Sequence, residues 1–324
     1  MWKLIKTFLL SIIVVSTTFG QSQIKSTKKL DLPWIKFNWQ GDSLARRYFD
    51  KAAIVIPLKI DNLAYDFNAQ LDLGAVETMF YGKSIKAYLE MFPLLKQKLD
   101  TTQKPIIIQG RESYSFQNIN LKLDTVLFSN LKVVNLSNFG DSISIDSAKT
   151  ISSKHIGTIA PDLFKNRILV IDYPNERMCV LDSLPKSIQQ KADFVDIKIR
   201  KGRIKIPFTV NGKVQYVMFD TGSSIFSILT SEENSIFFAE TEKPIIDSIV
   251  GEQWGQKITI YGKKISAEIK LGKHKMPFDK VYFLTDKGQK TFEDEENIIG
   301  LTGNAYFLNN TIIIDYKNNR FGVL

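Results

Sequence analysis

The sequence predicts an all-β chain that folds as two homologous β-barrel-like lobes, with a cleft between them and few, short helices. Three observations predict this fold class. Short runs rich in Val, Ile, Phe and Tyr recur between turn signals along most of the chain. A stretch near the middle of the chain is repeated at its end, and an Asp-x-Gly triplet occurs upstream of each copy.

Length and composition exclude several other classes of protein. The chain has 324 residues, enough for one large or two ordinary domains, and its 44% hydrophobic and 24% charged residues are typical of a globular protein. A single cysteine, Cys179, excludes an intramolecular disulfide framework and a Cys-rich zinc site. Only two histidines are present, which leaves little room for a His-based metal site. We therefore expect no metal and no other cofactor.

Residues 1–20 have the layout of a secretory signal peptide. Lys3 and Lys6 precede a short apolar run, and small residues follow it as far as Gly20. The apolar run is shorter than the ~20 residues of a transmembrane helix, although an uncleaved anchor is the alternative interpretation. We expect an exported protein, periplasmic or secreted, without an integral membrane span after cleavage. Residues 21–50 belong to neither repeat, and their aromatic side chains predict an extension that packs on the body.

The repeat predicts two lobes built on one plan. Residues 156–181 align without gaps with residues 299–324, and 11 of the 26 pairs are identical. Upstream, each copy has two β-rich runs around an Asn-containing turn, followed by the Asp-x-Gly triplet. The order and spacing of these landmarks agree, which predicts a first lobe over residues 51–181 and a second over 197–324. Residues 182–196 are then the connection between them.

One stretch of the chain favours a helix. It covers about residues 84–98, with Ser84 as the expected N-cap. Pro93 is expected to kink or divide it, because proline has no backbone N–H to donate within a helix.

The two Asp-x-Gly triplets are the candidate chemistry of the chain. They read Asp72-Leu-Gly-Ala and Asp220-Thr-Gly-Ser, and either one alone would be an ordinary turn after a strand. One carboxylate from each half of a duplicated fold can, however, converge on a shared axis. Two carboxylates about 3 Å apart cannot both ionise, so the pair holds one proton. The ionised member can then take a proton from water while the protonated member polarises a carbonyl group.

On these triplets, and on the later Ile156-Gly157 and Ile299-Gly300, the chain resembles the pepsin/retropepsin aspartic peptidases over nearly all of residues 50–324. The resemblance implies the acid-protease fold, with Asp72 and Asp220 as the catalytic dyad. It also implies supporting roles for the residues around them, which are Gly74, Thr221, Gly222 and Ser223.

The resemblance has one departure and one further implication. Leu73 stands where the family pattern has a hydroxyl-bearing residue that bonds across to the opposite loop. The family also closes a β-hairpin flap over the substrate. In the first lobe this implies a hairpin with Gly110 near its tip and Tyr114 over the cleft, although an ordinary strand tyrosine is the alternative. In the second lobe Trp254 is the equivalent cleft residue.

The function implied by the resemblance is that of an exported, monomeric aspartic endopeptidase acting on peptides or unfolded proteins. The alternative is a catalytically impaired pseudo-peptidase that binds peptides or surface polymers in the same cleft. The formal charge of +9 would also suit a nucleic-acid-binding protein. The basic pairs are scattered rather than clustered with aromatic residues, so we expect no nucleic-acid partner.

Overall fold

Strands dominate the structure, a computed structural model that describes residues 32–44, 47–108, 110–253 and 256–324. The predicted all-β class with few, short helices is confirmed. The signal peptide expected at residues 1–20 and the part of the extension at 21–31 lie outside the described residues, as does Trp254.

The strands and helices follow in chain order. The first strands are β1 (Ile35–Lys36), β2 (Asn38–Leu44), β3 (Arg47–Ile60), β4 (Phe67–Leu71), β5 (Met79–Tyr81), β6 (Leu99–Asp100), β7 (Ile106–Ile108), β8 (Arg111–Leu123), β9 (Val126–Leu136), β10 (Lys154–Ile159), β11 (Ile168–Asp172) and β12 (Arg177–Leu181). The remaining strands are β13 (Asp193–Asp196), β14 (Lys198–Arg200), β15 (Arg203–Val210), β16 (Lys213–Phe219), β17 (Ile228–Ser231), β18 (Asp247–Gln253), β19 (Gln256–Lys264), β20 (Ile269–Leu271), β21 (His274–Lys275), β22 (Lys280–Leu284), β23 (Leu301–Thr302), β24 (Thr311–Asp315) and β25 (Arg320–Val323). The α-helices are α1 (Gly82–Met91), α2 (Pro93–Gln97), α3 (Ile145–Ala148), α4 (Lys186–Gln189), α5 (Glu232–Ser235) and α6 (Lys287–Glu296). Short 3₁₀ helices cover Pro161–Phe164, Tyr173–Asn175 and Asn304–Phe307.

The strands form three sheets. A nine-stranded sheet takes its strands from residues 38–159, and a ten-stranded sheet takes its strands from residues 198–302. We call the parts of the chain that form these two sheets the first and the second lobe. The third sheet has six strands in the order β1-β12-β11-β24-β25-β13 and therefore draws on both halves of the chain. Its central pairing joins β11 to β24 in antiparallel register, with Leu169 opposite Ile314.

The first two sheets share one local topology around the Asp-x-Gly triplets. In the first sheet, β10 pairs in parallel with β4 and antiparallel with β5. In the second sheet, β23 pairs in parallel with β16 and antiparallel with β17. Gly157 in β10 and Gly300 before β23 are close to the neighbouring strand: a Cβ on Gly157 would overlap the carbonyl oxygen of Met79, and one on Gly300 would lie 2.9 Å from that of Leu229. The apolar-Gly elements of the sequence are therefore where two strands pass too closely for a side chain.

Asp172 and Asp315 show the same duplication at the end of each repeat. Each carboxylate accepts hydrogen bonds from the Asn three residues later and the Arg five residues later. Both aspartates are buried, so these bonds satisfy carboxylates that would otherwise be costly to bury. Each pair of strands, β11–β12 and β24–β25, thus has the same turn.

The helix predicted over residues 84–98 begins earlier and is divided. Helix α1 starts at Gly82, with Tyr81 as its N-cap, so Ser84 as the N-cap is wrong. Ser84 lies inside the helix, where its hydroxyl donates to the carbonyl oxygen of Asp141 at 3.0 Å. Pro93 divides the segment as predicted: α1 ends at Met91 with Phe92 as its C-cap, and Pro93 takes the first position of α2, where an N–H is not needed.

The segments outside the two repeats also contribute strands. Residues 182–196, expected as a connection, contain α4 and β13, and β13 forms one edge of the six-stranded sheet by pairing with β25. The described part of the extension contains β1 and β2, and β2 forms a long antiparallel hairpin with β3.

Buried apolar side chains from both lobes form one continuous core. It includes Phe67 and Phe116 of the first lobe, Phe219 of the second, and Phe321 of the six-stranded sheet. Within the described ranges, no helix is long and apolar enough to cross a membrane.

Candidate active site

Each Asp-x-Gly triplet begins where a buried strand ends. Asp72 follows β4 and Asp220 follows β16, and each is fixed by its neighbouring strand. The backbone N–H of Asp72 donates to the carbonyl oxygen of Ile159 at 3.0 Å, and that of Asp220 donates to Thr302 at 2.9 Å. The two loops, residues 72–75 (the first loop) and 220–223 (the second loop), therefore leave equivalent points of the two sheets.

Backbone amides in each loop orient its carboxyl group. The N–H groups of Gly74 and Ala75 both donate to Asp72 Oδ1 at 2.9 Å, and the N–H of Gly222 donates to Asp220 Oδ1 at 2.7 Å. This is the turn chemistry expected of an Asp-x-Gly sequence, in which the side chain accepts from residues two and three positions later. One oxygen of each carboxyl group is thus held by its own loop.

The two loops meet, and their carboxyl groups lie side by side: a Cβ on Gly222 would be 3.0 Å from Oδ1 of both Asp72 and Asp220. Gly74 lies against the opposite carboxyl group so closely that a Cβ there would overlap Asp220. A Cβ on Gly222 would lie 3.0 Å from Cγ of Asp72. Any larger residue at either glycine would push the two loops apart, so the short distance between the aspartates depends on both.

The electrostatics of the pair are asymmetric. Burial raises the pKa of Asp220 to about 8, and the nearby charge of Asp72 acts in the same direction. Burial also raises the pKa of Asp72, but this is opposed by the amides of its loop, by the hydrogen bond with Asp220 and by the positive charge of Arg203. The groups that stabilise the ionised form of Asp72 favour a singly protonated pair with its proton on Asp220.

Thr221 joins the loops below the carboxyl groups. Its hydroxyl accepts from the N–H of Leu73 at 2.9 Å and donates to the carbonyl oxygen of Leu71 at 2.7 Å. Leu73 is fully buried and has no hydroxyl to return this contact, so the link is made from one side only. The hydroxyl of Ser223 is buried without a hydrogen-bond partner among the described residues.

Asn304 fixes the second loop from behind, and the sequence analysis did not single it out. Its Nδ2 donates to the carbonyl oxygen of Thr221 at 3.1 Å and to the hydroxyl of Ser224 at 2.8 Å. The hydroxyl of Tyr173 in turn donates to Asn304 Oδ1 at 2.6 Å. One feature of the sequence could have drawn attention to Asn304: the two repeats differ there, with a polar asparagine in the second and Pro161 in the first.

Arg203 is the second residue at the site that sequence reasoning missed. It lies at the start of β15 in the second lobe, and its Nε donates to the carbonyl oxygen of Gly74 in the first loop at 2.8 Å. Its Nη1 lies 3.2 Å from Glu296 Oε1. Arg203 lies in a segment with several basic residues, which is typical of a solvent-exposed strand. The sequence therefore gave no reason to distinguish Arg203 from its basic neighbours.

The predicted flap residues have different outcomes. Gly110 lies in the turn between β7 and β8 with φ of +74°, which favours glycine, and it is exposed, as the tip of a hairpin would be. Tyr114 lies four residues further along β8, half-buried and opposite Asn135 of β9. Strands β18 and β19 form the corresponding hairpin of the second lobe, and the turn that contains Trp254 is outside the described residues.

A metal site is not part of this arrangement as far as the described ranges extend, where no three His, Cys, Asp or Glu side chains are grouped to hold an ion. The chemistry available at the site is instead that of two carboxyl groups that share a proton between two loops.

Comparison with known proteins finds similarity among solved structures. No protein-family model matches the chain. No curated protein matches it in sequence. Among solved structures, the aspartic proteinase from Irpex lacteus is similar with a TM-score of 0.46 and 12% sequence identity, over 90% of this chain and 96% of that chain.

Proposed function

We propose that this protein is an aspartic endopeptidase that hydrolyses peptide bonds with Asp72 and Asp220, acting on extended peptides or unfolded proteins. One observation carries the proposal: two carboxyl groups from equivalent loops of a duplicated fold lie side by side, with Oδ1 of each 3.0 Å from the position that a Cβ on Gly222 would take. A pair of this kind can act as base and acid at once, because one member is ionised while the other is protonated. No metal or cofactor is needed for the reaction.

The asymmetry of the pair assigns the two roles. Asp72, ionised, accepts a proton from a water molecule, whose oxygen then attacks the carbonyl carbon of the peptide bond. Asp220, protonated, gives its proton to the carbonyl oxygen, so that a neutral gem-diol forms. In the second step Asp72 passes its proton to the amide nitrogen while Asp220 recovers a proton from one hydroxyl. The C–N bond breaks, and the dyad returns to its starting state.

The test is loss of proteolysis on replacing either aspartate. Asp72→Asn and Asp220→Asn keep the size of the side chain but remove the base or the acid, and each should reduce the cleavage rate of an unfolded protein at mildly acidic pH by at least about 100-fold. Asp66→Asn, which removes an exposed carboxylate paired only with Lys59, is the matched control and should retain activity. A statine-type inhibitor should block the wild type. Undiminished cleavage by both dyad variants would exclude the mechanism.

The second candidate is a pseudo-peptidase that binds peptides or surface polymers without cleaving them. Leu73 favours it, because the first loop offers no hydroxyl to match that of Thr221 and a less firmly held dyad is a weaker catalyst. Saturable peptide binding that Asp72→Asn leaves unchanged, with no turnover at any pH, would select this candidate over the endopeptidase.

We also propose export, on the signal-peptide layout of residues 1–20. Expression of the full chain in a bacterial host, followed by N-terminal sequencing of the protein outside the cytoplasm, should find a mature start near Gln21. An intact Met1 on the exported protein would support an uncleaved anchor instead.

A further inference from the structure

The side chain of Arg203 crosses from the second lobe to the first loop. Its Nε donates to the carbonyl oxygen of Gly74 at 2.8 Å, and Gly74 is two residues after Asp72 and in direct contact with the carboxyl group of Asp220. This bond joins residues 129 positions apart in the sequence. It is therefore a link between the lobes made beside the dyad itself.

Helix α6 fixes the direction of this guanidinium. Nη1 of Arg203 pairs with Glu296 at 3.2 Å, and the side chain of Glu296 is only 9% exposed and is also held by Lys205 at 3.0 Å. The ring of Phe292 lies 5.7 Å from the guanidinium carbon, within range of a cation–π contact. Arg203 is itself mostly buried, at 22% exposure. It is thus a pre-oriented cation rather than a mobile surface arginine.

We propose that Arg203 is a positioning residue of the dyad: it ties the first loop to the second lobe, where Leu73 has no hydroxyl to do so, and holds its positive charge against the loop that carries Asp72. This inference rests on the proposed function for its consequence in catalysis. The geometry on which it stands, the bond to Gly74 and the clamp on α6, does not.

The charge of Arg203 acts on Asp72, in whose loop it is bonded. It opposes the effect of burial on the pKa of Asp72, while burial and the nearby charge of Asp72 raise the pKa of Asp220. Tyr81 also faces this region: burial raises its pKa and the charge of Asp72 adds to the shift. A cation beside one member of a proton-sharing pair stabilises the ionised form of that member, which assigns the base.

The test compares Arg203→Gln and Arg203→Lys with Arg200→Gln. Arg200 also approaches Glu296, at 3.5 Å, but it is 51% exposed and donates to the carbonyl oxygen of Glu295 rather than to the first loop. Two readouts are measured: the acid limb of the pH profile of kcat/KM, and the ¹³C titration of the Asp72 carboxyl group. Arg203→Gln should move both upward by about one pH unit, because an opposite charge close to a carboxylate lowers its pKa by roughly 1–3 units. Arg203→Lys keeps the positive charge, so both readouts should lie close to those of the wild type. Arg200→Gln should leave both readouts unchanged.

An unchanged Asp72 titration in Arg203→Gln, or an equal shift in Arg200→Gln, would overturn the proposal. If the wild type cleaves no peptide, the proposed function fails, while the ¹³C titration still decides the role of Arg203.

Discussion

Asp220 couples the protonation of the site to the stability of the fold. In the unfolded chain its pKa has the ordinary value of 3.8, and in the folded protein burial raises the pKa to about 8. Between these values the folded state binds the extra proton, so the free energy of unfolding decreases as pH rises from about 4 to about 8. The stabilising contribution of the protonated group is complete below the lower value and is lost above the higher one.

Asp220→Asn should remove this dependence. The variant is expected to lose less stability than the wild type between pH 4 and pH 8, by at least about 1.4 kcal/mol, which corresponds to one unit of pKa. Urea denaturation at a series of pH values measures it, with Asp66→Asn as the surface control that should follow the wild type. Parallel pH profiles for Asp220→Asn and the wild type would show that Asp220 titrates normally in the folded protein.

At the residue scale, the approach of the two Asp-x-Gly loops was predictable from the repeat, and the distant residues that hold these loops were not. Asp72 and Asp220 stand in a repeat whose order and spacing can be measured along the sequence. Arg203 and Asn304 act on loops 129 and 83 positions away, and no local pattern marks such partners. Residues that position a site through long-range hydrogen bonds become visible only when the fold brings them together.

At the scale of elements, the β2–β3 hairpin connects the extension to the second lobe. Arg47 of β3 makes two hydrogen bonds to Asp247 of β18, at 2.9 and 2.8 Å, and Asp247 also accepts from Lys280 and Tyr282. These donors, Arg47 foremost, hold the pKa of Asp247 well below its usual range. Phe49 of the same hairpin packs against the small apolar cluster of the second lobe.

Arg47→Gln should release this end of the hairpin without unfolding the lobe. We expect faster amide hydrogen exchange in residues 47–53 and a loss of about 1 kcal/mol of stability, because Asp247 keeps its other two donors. Lys59→Gln, on the same strand, breaks an exposed ion pair with Asp66 and should cost less than about 0.5 kcal/mol without altering exchange. Equal exchange rates in the Arg47 variant and the wild type would mean that the hairpin is held by its apolar contacts alone.

Element boundaries were the less predictable part of the fold. Serine is a common N-cap residue, but Ser84 lies within α1 and its hydroxyl donates to the carbonyl oxygen of Asp141. A tertiary hydrogen bond therefore uses the hydroxyl that a local rule would place at the start of the helix. Pro93 was interpreted correctly because its effect is covalent and local. Residues 193–196 gave no clear strand signal, and they form a strand because the edge of β25 is available to them.

At the scale of the whole molecule, the six-stranded sheet and the continuous core predict one cooperative unfolding transition. Strands β11 and β24 come from different repeats and pair along five residues each, and the core contains buried side chains of both lobes. Differential scanning calorimetry should therefore show a single transition whose calorimetric and van't Hoff enthalpies agree. Two resolved transitions would show that the lobes unfold independently. The repeat predicted two similar lobes. It did not predict that β11 and β24 pair with each other, because this contact joins distant parts of the chain and leaves no pattern within either copy.

The position of Arg203 also bears on how a duplicated protein can differ from a pair of identical chains. The equivalent position of the first repeat is Ala53, and the equivalent of Leu73 in the second is Thr221. Two identical subunits related by a twofold axis would carry the same residue on both sides, and their two carboxyl groups would then be interchangeable. In one covalent chain each copy is free to change alone. This protein has used that freedom to break the symmetry of its centre: the cation of Arg203 and the hydroxyl of Thr221 both come from the second copy, and the first copy has neither.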